Sequence, residues 1–390
     1  MLLGLDILLR DQKALLQDKR VGILGHQASL DSKGKHILDL LIPSKEWRVT
    51  TLFGPEHGIS TIAQDMEPVA SGIHKPTGLP IHSLYGHSEK ELKPTTEMLA
   101  NIDTLVIDLQ DIGSRYYTYI WTTTMCMEVC AKLKKEVVVL DRPNPINGII
   151  LEGESNQSGY TSFVGLHPMP VRHGMTIGEV ARFINDSEEV DCNLTVVPME
   201  GWQREWYWEE TKIKWTNPSP NMRSPLQALL YPGTCLLEAT NISEGRGTDT
   251  PFEILGAPFV KSEEMIQELN EFRLPGVKFE PVTFTPTRQK WAKELCRGIR
   301  VRVTEREIFK SYVTGLAIVW ALYTLYNEKG FAWRMEPYEF IEDLPAIDLL
   351  TGSTTVRQAF EKHLPLREIL EWVEEPNPSF LRQRKSYLIY

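Results

Sequence analysis

The chain has 390 residues, 42% of them hydrophobic and 24% charged, an ordinary globular balance with length enough for two cores. Its net charge of −10 argues against a nucleic-acid or anionic-membrane surface, though it says nothing about fold. Five cysteines, Cys126, Cys130, Cys192, Cys235 and Cys296, make no CxxC pair and read as buried thiols rather than a disulfide framework or zinc site.

The opening MLLGLDILLRDQ is too short and too soon charged for a signal peptide, so the expectation is a cytoplasmic protein, or an exported one if a leader has been removed. From there short β-branched runs alternate with helical patterns. RVGILGHQAS begins as a strand and KGKHILDLLI follows as a helix; VTTLFGPEHG is the next strand with its exit loop, and LPIHSLYG a weaker third. TTEMLANI is a helix, TLVIDLQDIG a strand, YIWTTTMCMEVCAKLKK a long helix, EVVVLDRPNP a strand, MTIGEVARFIND a helix and LTVVPME a strand. This rhythm predicts an α/β fold, a doubly wound, mostly parallel sheet covered on both faces. The Pro-rich TNPSPNMRSP is the expected boundary, giving a catalytic domain over 1–225 and a smaller α+β domain over 226–390 with a cleft between them. The second part opens with TCLLEATNISEGRGTDTPFE, expected as a strand and a long polar loop. A helix (SEEMIQELNEF), strands (VKFEPVTFTP and IRVRVTE), and C-terminal helices follow. The uncharged run Ser311 to Asn327 falls short of the roughly 20 residues that span a bilayer, and is expected as a buried helix.

In such sheets ligands bind beyond the carboxyl ends of the strands. Here the exits carry His26-Gln27, Pro55-Glu56-His57-Gly58, Asp108 to Arg115 and Asp141-Arg142-Pro143-Asn144. GPEHG presents a carboxylate and an imidazole on a Pro-fixed, Gly-flanked loop; desolvated, Glu56 can act as a general acid, the structural alternative being a turn or capping Glu. His57 is as readily a satisfied hydrogen-bonding histidine. In DLQDIGSRYYTY, Asp111 can serve catalysis or cap the aromatic helix start that follows, Asp108 and Tyr116 can bind substrate, and Arg115 can grip a carboxylate through its planar fork. Asp141, Arg142 and Asn144 sit on a proline-shaped loop where the Asp can be a mere anchor. LEGE supplies Glu152 and Glu154 as possible second carboxylates of a hydrolytic pair. VRHGMT supplies Arg172 and His173, and TNISEGRGT supplies Asn241, Glu244 and Arg246. The aromatic-dense GWQREWYWEETKIKW can stack on sugars, although buried rings are commoner. No GxGxxG, GK[ST], HExxH or GxSxG pattern supports a nucleotide site, a zinc protease or a nucleophile elbow.

LFGPEHG, DLQDIGSRYYTY, DRPNPING with LEG, PVRHGMTIGE, NPSPNM and LYPGTCLLEATNISEGRGTDTPFEILGAP together, in this order, resemble the exo-β-N-acetylmuramidase (NamZ-like) glycoside hydrolase family, formerly a domain of unknown function. The likeness runs from about Gly4 to the terminal RKSYLIY. It implies a Rossmann-like domain, a C-terminal auxiliary domain, and release of N-acetylmuramic acid from the non-reducing end of peptidoglycan fragments in bacterial cell-wall turnover. It implies that Glu56 of PEHG is catalytic, with Glu152, Glu154, Glu244 and the aspartates open as the second carboxylate. The sugar's lactyl carboxylate calls for a cation, for which Arg115, Arg142, Arg172 and Arg246 are candidates; an internal ion pair is the competing use of each. Carboxylates suffice for protonation and water activation, so no metal or cofactor is expected. The competing readings are a non-catalytic glycan-binding protein, separated by turnover, and a nucleotide-dependent enzyme, separated by a cofactor-free assay. Oligomeric state is not legible.

Overall fold

The computed structural model describes residues 1–61, 63–64, 66–373 and 377–390. Among them lies one seven-stranded sheet: β1 (Arg20–Gly25), β2 (Arg48–Gly54), β3 (Gly72–His74), β4 (Leu79–Ser83), β5 (Thr104–Asp108), β6 (Glu136–Leu140) and β7 (Asn193–Val197), in the order β3-β4-β2-β1-β5-β6-β7. All pairs are parallel except the β3–β4 edge, which is antiparallel. The expected doubly wound α/β fold is present. Its central strands are buried along nearly their whole length, as helices on both faces require. From β1 the chain builds outward through β2 and β4, then returns to add β5 on the other side of β1. That reversal opens a crevice beyond the carboxyl ends of β1, β2 and β5.

The helix Tyr119–Lys132 follows β5 and is buried on almost every side. Its polar TTT run tolerates this because each threonine hydroxyl donates to the carbonyl one turn back: Thr122 to Thr118, Thr123 to Tyr119 and Thr124 to Ile120. The five cysteines are buried free thiols.

A second, antiparallel sheet has the order β8-β10-β9, with β8 (Ile254–Ala257), β9 (Val277–Phe284) and β10 (Cys296–Val303). The helix Ser311–Tyr326 is buried as expected from its uncharged run, and none of the described helices is long and apolar enough to cross a membrane. One expectation fails: TCLLEA is not a strand. Ser224 caps a helix at Pro225–Thr234 by accepting from the Gln227 amide, and the chain continues as a 3-10 turn over Cys235–Ala239. A Cβ on Gly233 would lie 2.0 Å from the Ser311 carbonyl oxygen, and one on Gly315 2.2 Å from that of Gly233. Paired glycines thus let this helix press directly on Ser311–Tyr326, and Glu238 lies in the 3-10 turn that follows it. The antiparallel edge strand β3 and the helix Gly4–Asp11 also lie outside the expected pattern.

Candidate active site

A pocket lies at the carboxyl edge of the large sheet, walled by segments far apart in sequence. Glu56 and His57 come from the loop after β2, and Tyr116 to Tyr119 from the turn leading into the buried helix. Ser219, Asn221 and Met222 come from the Pro-rich stretch; Tyr231, Glu238, Arg246 and Phe252 lie beyond it; Tyr338 and Glu339 close the far wall. It is a narrow cavity of about 40 Å³, room for a few waters. Three lining residues other than glycine hold positive φ: His57 at 71°, Phe252 at 65° and Glu339 at 46°. Such conformations cost energy and persist where the surroundings dictate them, a pattern that concentrates at working sites.

Glu56 is 6% exposed. Its Oε2 accepts from the Thr118 hydroxyl at 2.8 Å, and its Oε1 lies 3.4 Å from the Met66 amide. Among the described residues no cation pairs with it. Thr118 is the N-cap residue of Tyr119–Lys132, so the buried helix fixes the hydroxyl that orients Glu56. His57 places Nδ1 2.9 Å from the Ala63 carbonyl oxygen, which can only accept; Nδ1 therefore carries the proton, and Nε2 is the nitrogen left for the pocket.

Glu238 is held differently. Its Oε2 accepts from the Tyr338 hydroxyl at 2.8 Å, and its Oε1 lies 2.8 Å from Arg246 Nη2. Arg246 also pairs with Glu244 at 3.1 Å and lies over the Phe252 ring at 5.0 Å. Glu244 stands behind the pocket wall. Burial alone would raise its carboxyl, but Lys290 at 3.0 Å and Arg246 outweigh that and hold it at about 2. It stays ionised throughout the neutral range and is unsuited to donate a proton. Glu339 accepts from the Tyr85 hydroxyl at 3.2 Å.

Of the sequence candidates, Glu56, His57, Tyr116 and Arg246 line this pocket. The others take internal partners. Arg142 forks onto Asp108, Nε to Oδ1 at 2.5 Å and Nη2 to Oδ2 at 2.9 Å, and also donates to the Leu30 carbonyl. Asp141 accepts from the Arg142 and Gly178 amides and the Thr176 and Tyr390 hydroxyls. Burial and the nearby Glu179 nonetheless push its carboxyl up to about 7. Asp111 accepts from the Gly113 amide at 2.7 Å, with His173 3.5 Å away. Asn144 bridges the Met175 carbonyl and the Ile146 amide. Arg172 pairs with Glu152 at 2.9 Å and reaches the Ile146 carbonyl, while Glu152 also accepts from the Tyr312 amide. Arg115 donates to the carbonyls of Glu154, Met169 and Leu350. Asn241 ties the Gly330 carbonyl to the Ala332 amide. In the aromatic segment Trp202, Tyr207 and Trp208 are buried and outside the pocket. Glu238, Glu339 and Tyr338 escaped sequence reasoning. The signal that could have found Glu238 is an acid inside the otherwise apolar run CLLEA, just ahead of a loop already singled out.

Family models described as exo-beta-N-acetylmuramidase NamZ, N-terminal and C-terminal, match residues 21–226 and 229–390. The peptidoglycan beta-N-acetylmuramidase NamZ of Bacillus subtilis (strain 168) is 42% identical over 387 residues, 99% of this chain and 91% of that protein. Crystal structures of two DUF1343 family proteins from Bacteroides fragilis NCTC 9343 superpose with TM-scores of 0.87 and 0.74, at 32% and 26% identity, each over 100% of this chain and 98% of the other.

Proposed function

The chain belongs to the exo-β-N-acetylmuramidase NamZ family, and on that premise we propose that it is a glycosidase freeing N-acetylmuramic acid from the non-reducing end of peptidoglycan fragments, with Glu56 as general acid and Glu238 as its charged partner. The observation that carries the pair is an asymmetry within one pocket. Glu56 meets a neutral hydroxyl and a distant amide, whereas Glu238 meets a guanidinium and a phenol. Two carboxyls in unlike surroundings are what acid and base roles at one pH call for. As the bond from the anomeric carbon to the glycosidic oxygen breaks, its electron pair stays on that oxygen, which takes the proton of Glu56. Glu238 serves the carbon side, as base for the incoming water or as nucleophile. The anomer first released separates those two uses, α for the base and β for the nucleophile.

Arg246 orients Glu238 and is the pocket cation best placed for the lactyl carboxylate. The experiment is incubation with the disaccharide N-acetylmuramyl-β-1,4-N-acetylglucosamine and mass analysis of the products. Both free monosaccharides are expected from the wild-type protein, with the rate lost in Glu56→Gln. Binding without cleavage would instead mark a glycan-binding protein.

A further inference from the structure

An exo-acting pocket takes one sugar, and the rest of the saccharide must leave by the mouth. Beside the pocket lies a groove of about 510 Å³, within the ordinary range of ligand sites, lined by Thr240, Asn241, Lys290, Trp291, Trp333 and Arg334 among others. We propose that this groove binds the leaving-group side of the saccharide, and that Arg334 receives the carboxylate of a sugar beyond the cleaved bond. The proposal rests on the muramidase reading above.

Three observations carry it. The groove adjoins the catalytic pocket through Arg334 itself. Its guanidinium lies 5.1 Å over the ring of Tyr338, the residue whose hydroxyl holds Glu238, and its Nη2 is 3.5 Å from the sulfur of Met66, whose amide approaches Glu56. Second, the groove offers aromatic faces on a rigid support. Trp291 donates its indole N–H to the Asn241 carbonyl at 2.6 Å and packs edge-on to Phe259, and Trp333 stacks on Tyr323. Rings already fixed lose little freedom on meeting a sugar. Third, the groove carries two cations against one acid, Lys290 and Arg334 with the exposed Glu336. Lys290 is committed to Glu244, whereas Arg334 donates to the Pro337 carbonyl and forms no ion pair with a carboxylate among the described residues. In a chain of net charge −10, a guanidinium of that kind beside an aromatic groove suits an anionic saccharide.

Peptidoglycan glycan alternates N-acetylglucosamine, which is neutral, with N-acetylmuramic acid. The first carboxylate past the cleaved bond therefore sits two sugars out. The test compares kcat/KM for the disaccharide above with that for the trisaccharide extended by one N-acetylmuramic acid, in wild type, Arg334→Met and Arg334→Lys, with Tm measured alongside. Arg334→Met is expected to lower kcat/KM on the trisaccharide at least tenfold more than on the disaccharide, chiefly through KM, and Arg334→Lys to recover part of the difference. Equal losses on both substrates would overturn the proposal by placing Arg334 at the first sugar or in the fold. No loss on either would show that the groove is unused. A wild-type protein that cleaves neither substrate sinks the muramidase reading itself, and the groove with it.

Discussion

Two clusters of buried charge share the carboxyl edge of the large sheet, and they differ in where their polar atoms point. Behind β5 and β6, Asp108–Arg142, Asp141 with Thr176 and Tyr390, Arg172–Glu152 and Arg115 spend their hydrogen bonds on one another and on backbone carbonyls. Around the pocket, Glu56, Glu238 and Arg246 are as deeply buried and Glu238 pairs with Arg246, yet all three side chains also line a cavity. Buried charge by itself is therefore no mark of a catalytic site; the first cluster holds loops in place and the second is disposed to meet a ligand.

Substitutions that separate activity from stability should sharpen that contrast. The largest effect is expected at Glu56. Glu56→Gln keeps the Thr118 hydrogen bond but removes the transferable proton, so kcat should fall about 10²- to 10⁴-fold on an unactivated saccharide with Tm little changed, as read by steady-state kinetics and thermal melts. Retention of near wild-type rates would remove Glu56 from the acid role. The mirror case is Arg172→Met, which strands Glu152 as a buried charge. It should lower unfolding free energy by about 3–5 kcal/mol in denaturant titration while activity per folded molecule survives. Activity lost in proportion to that of Glu56→Gln would erase the distinction between the clusters.

Arg246→Met comes next. It removes the pocket's buried cation, and kcat/KM on an aryl muramide should drop roughly 10- to 150-fold, more than on the matching glucosaminide. Equal losses would confine Arg246 to orienting Glu238. The pH response of Asp141 reads stability alone and leaves the rate aside. Its carboxyl is raised to about 7 in the folded state against about 3.9 in an unfolded chain, so the folded protein binds more protons between those values. Its contribution to stability is greatest at low pH and is lost as pH rises from about 4 to about 7, levelling off above. Melts of Asp141→Asn across that range should lack this component, and a variant whose pH slope matches wild type would refute it.

Much of the framework was legible because its signals are local. Continuous runs such as TLVID and EVVVL mark strands buried on both faces, and the polar residues that follow them do lie at one sheet edge. The place of Glu56 on the pocket wall was legible because GPEHG, at a strand exit, carries its own turn chemistry. What failed depends on tertiary partners. The forks of Arg115 and Arg172 look the same in sequence whether they meet a ligand or a carbonyl, and the segments that consume them, around Leu350 and Ile146, are remote. Glu238 was hidden in a stretch read as a strand, where the Ser224 cap and the Gly233–Gly315 contact impose a helix and a 3-10 turn instead. Glu339 reaches the pocket from a loop residue with positive φ, which no motif announces.

The central claim is that this pocket cleaves a β-linked sugar bearing a carboxylate. It is tested most directly by the ratio of kcat/KM for nitrophenyl β-N-acetylmuramide to that for nitrophenyl β-N-acetylglucosaminide in the wild-type protein. The two substrates differ only by the lactyl ether. A charge-assisted hydrogen bond to that group is worth about 1.5–3 kcal/mol, so the muramide should be preferred at least tenfold. A ratio near one would contradict the claim and leave a general hexosaminidase.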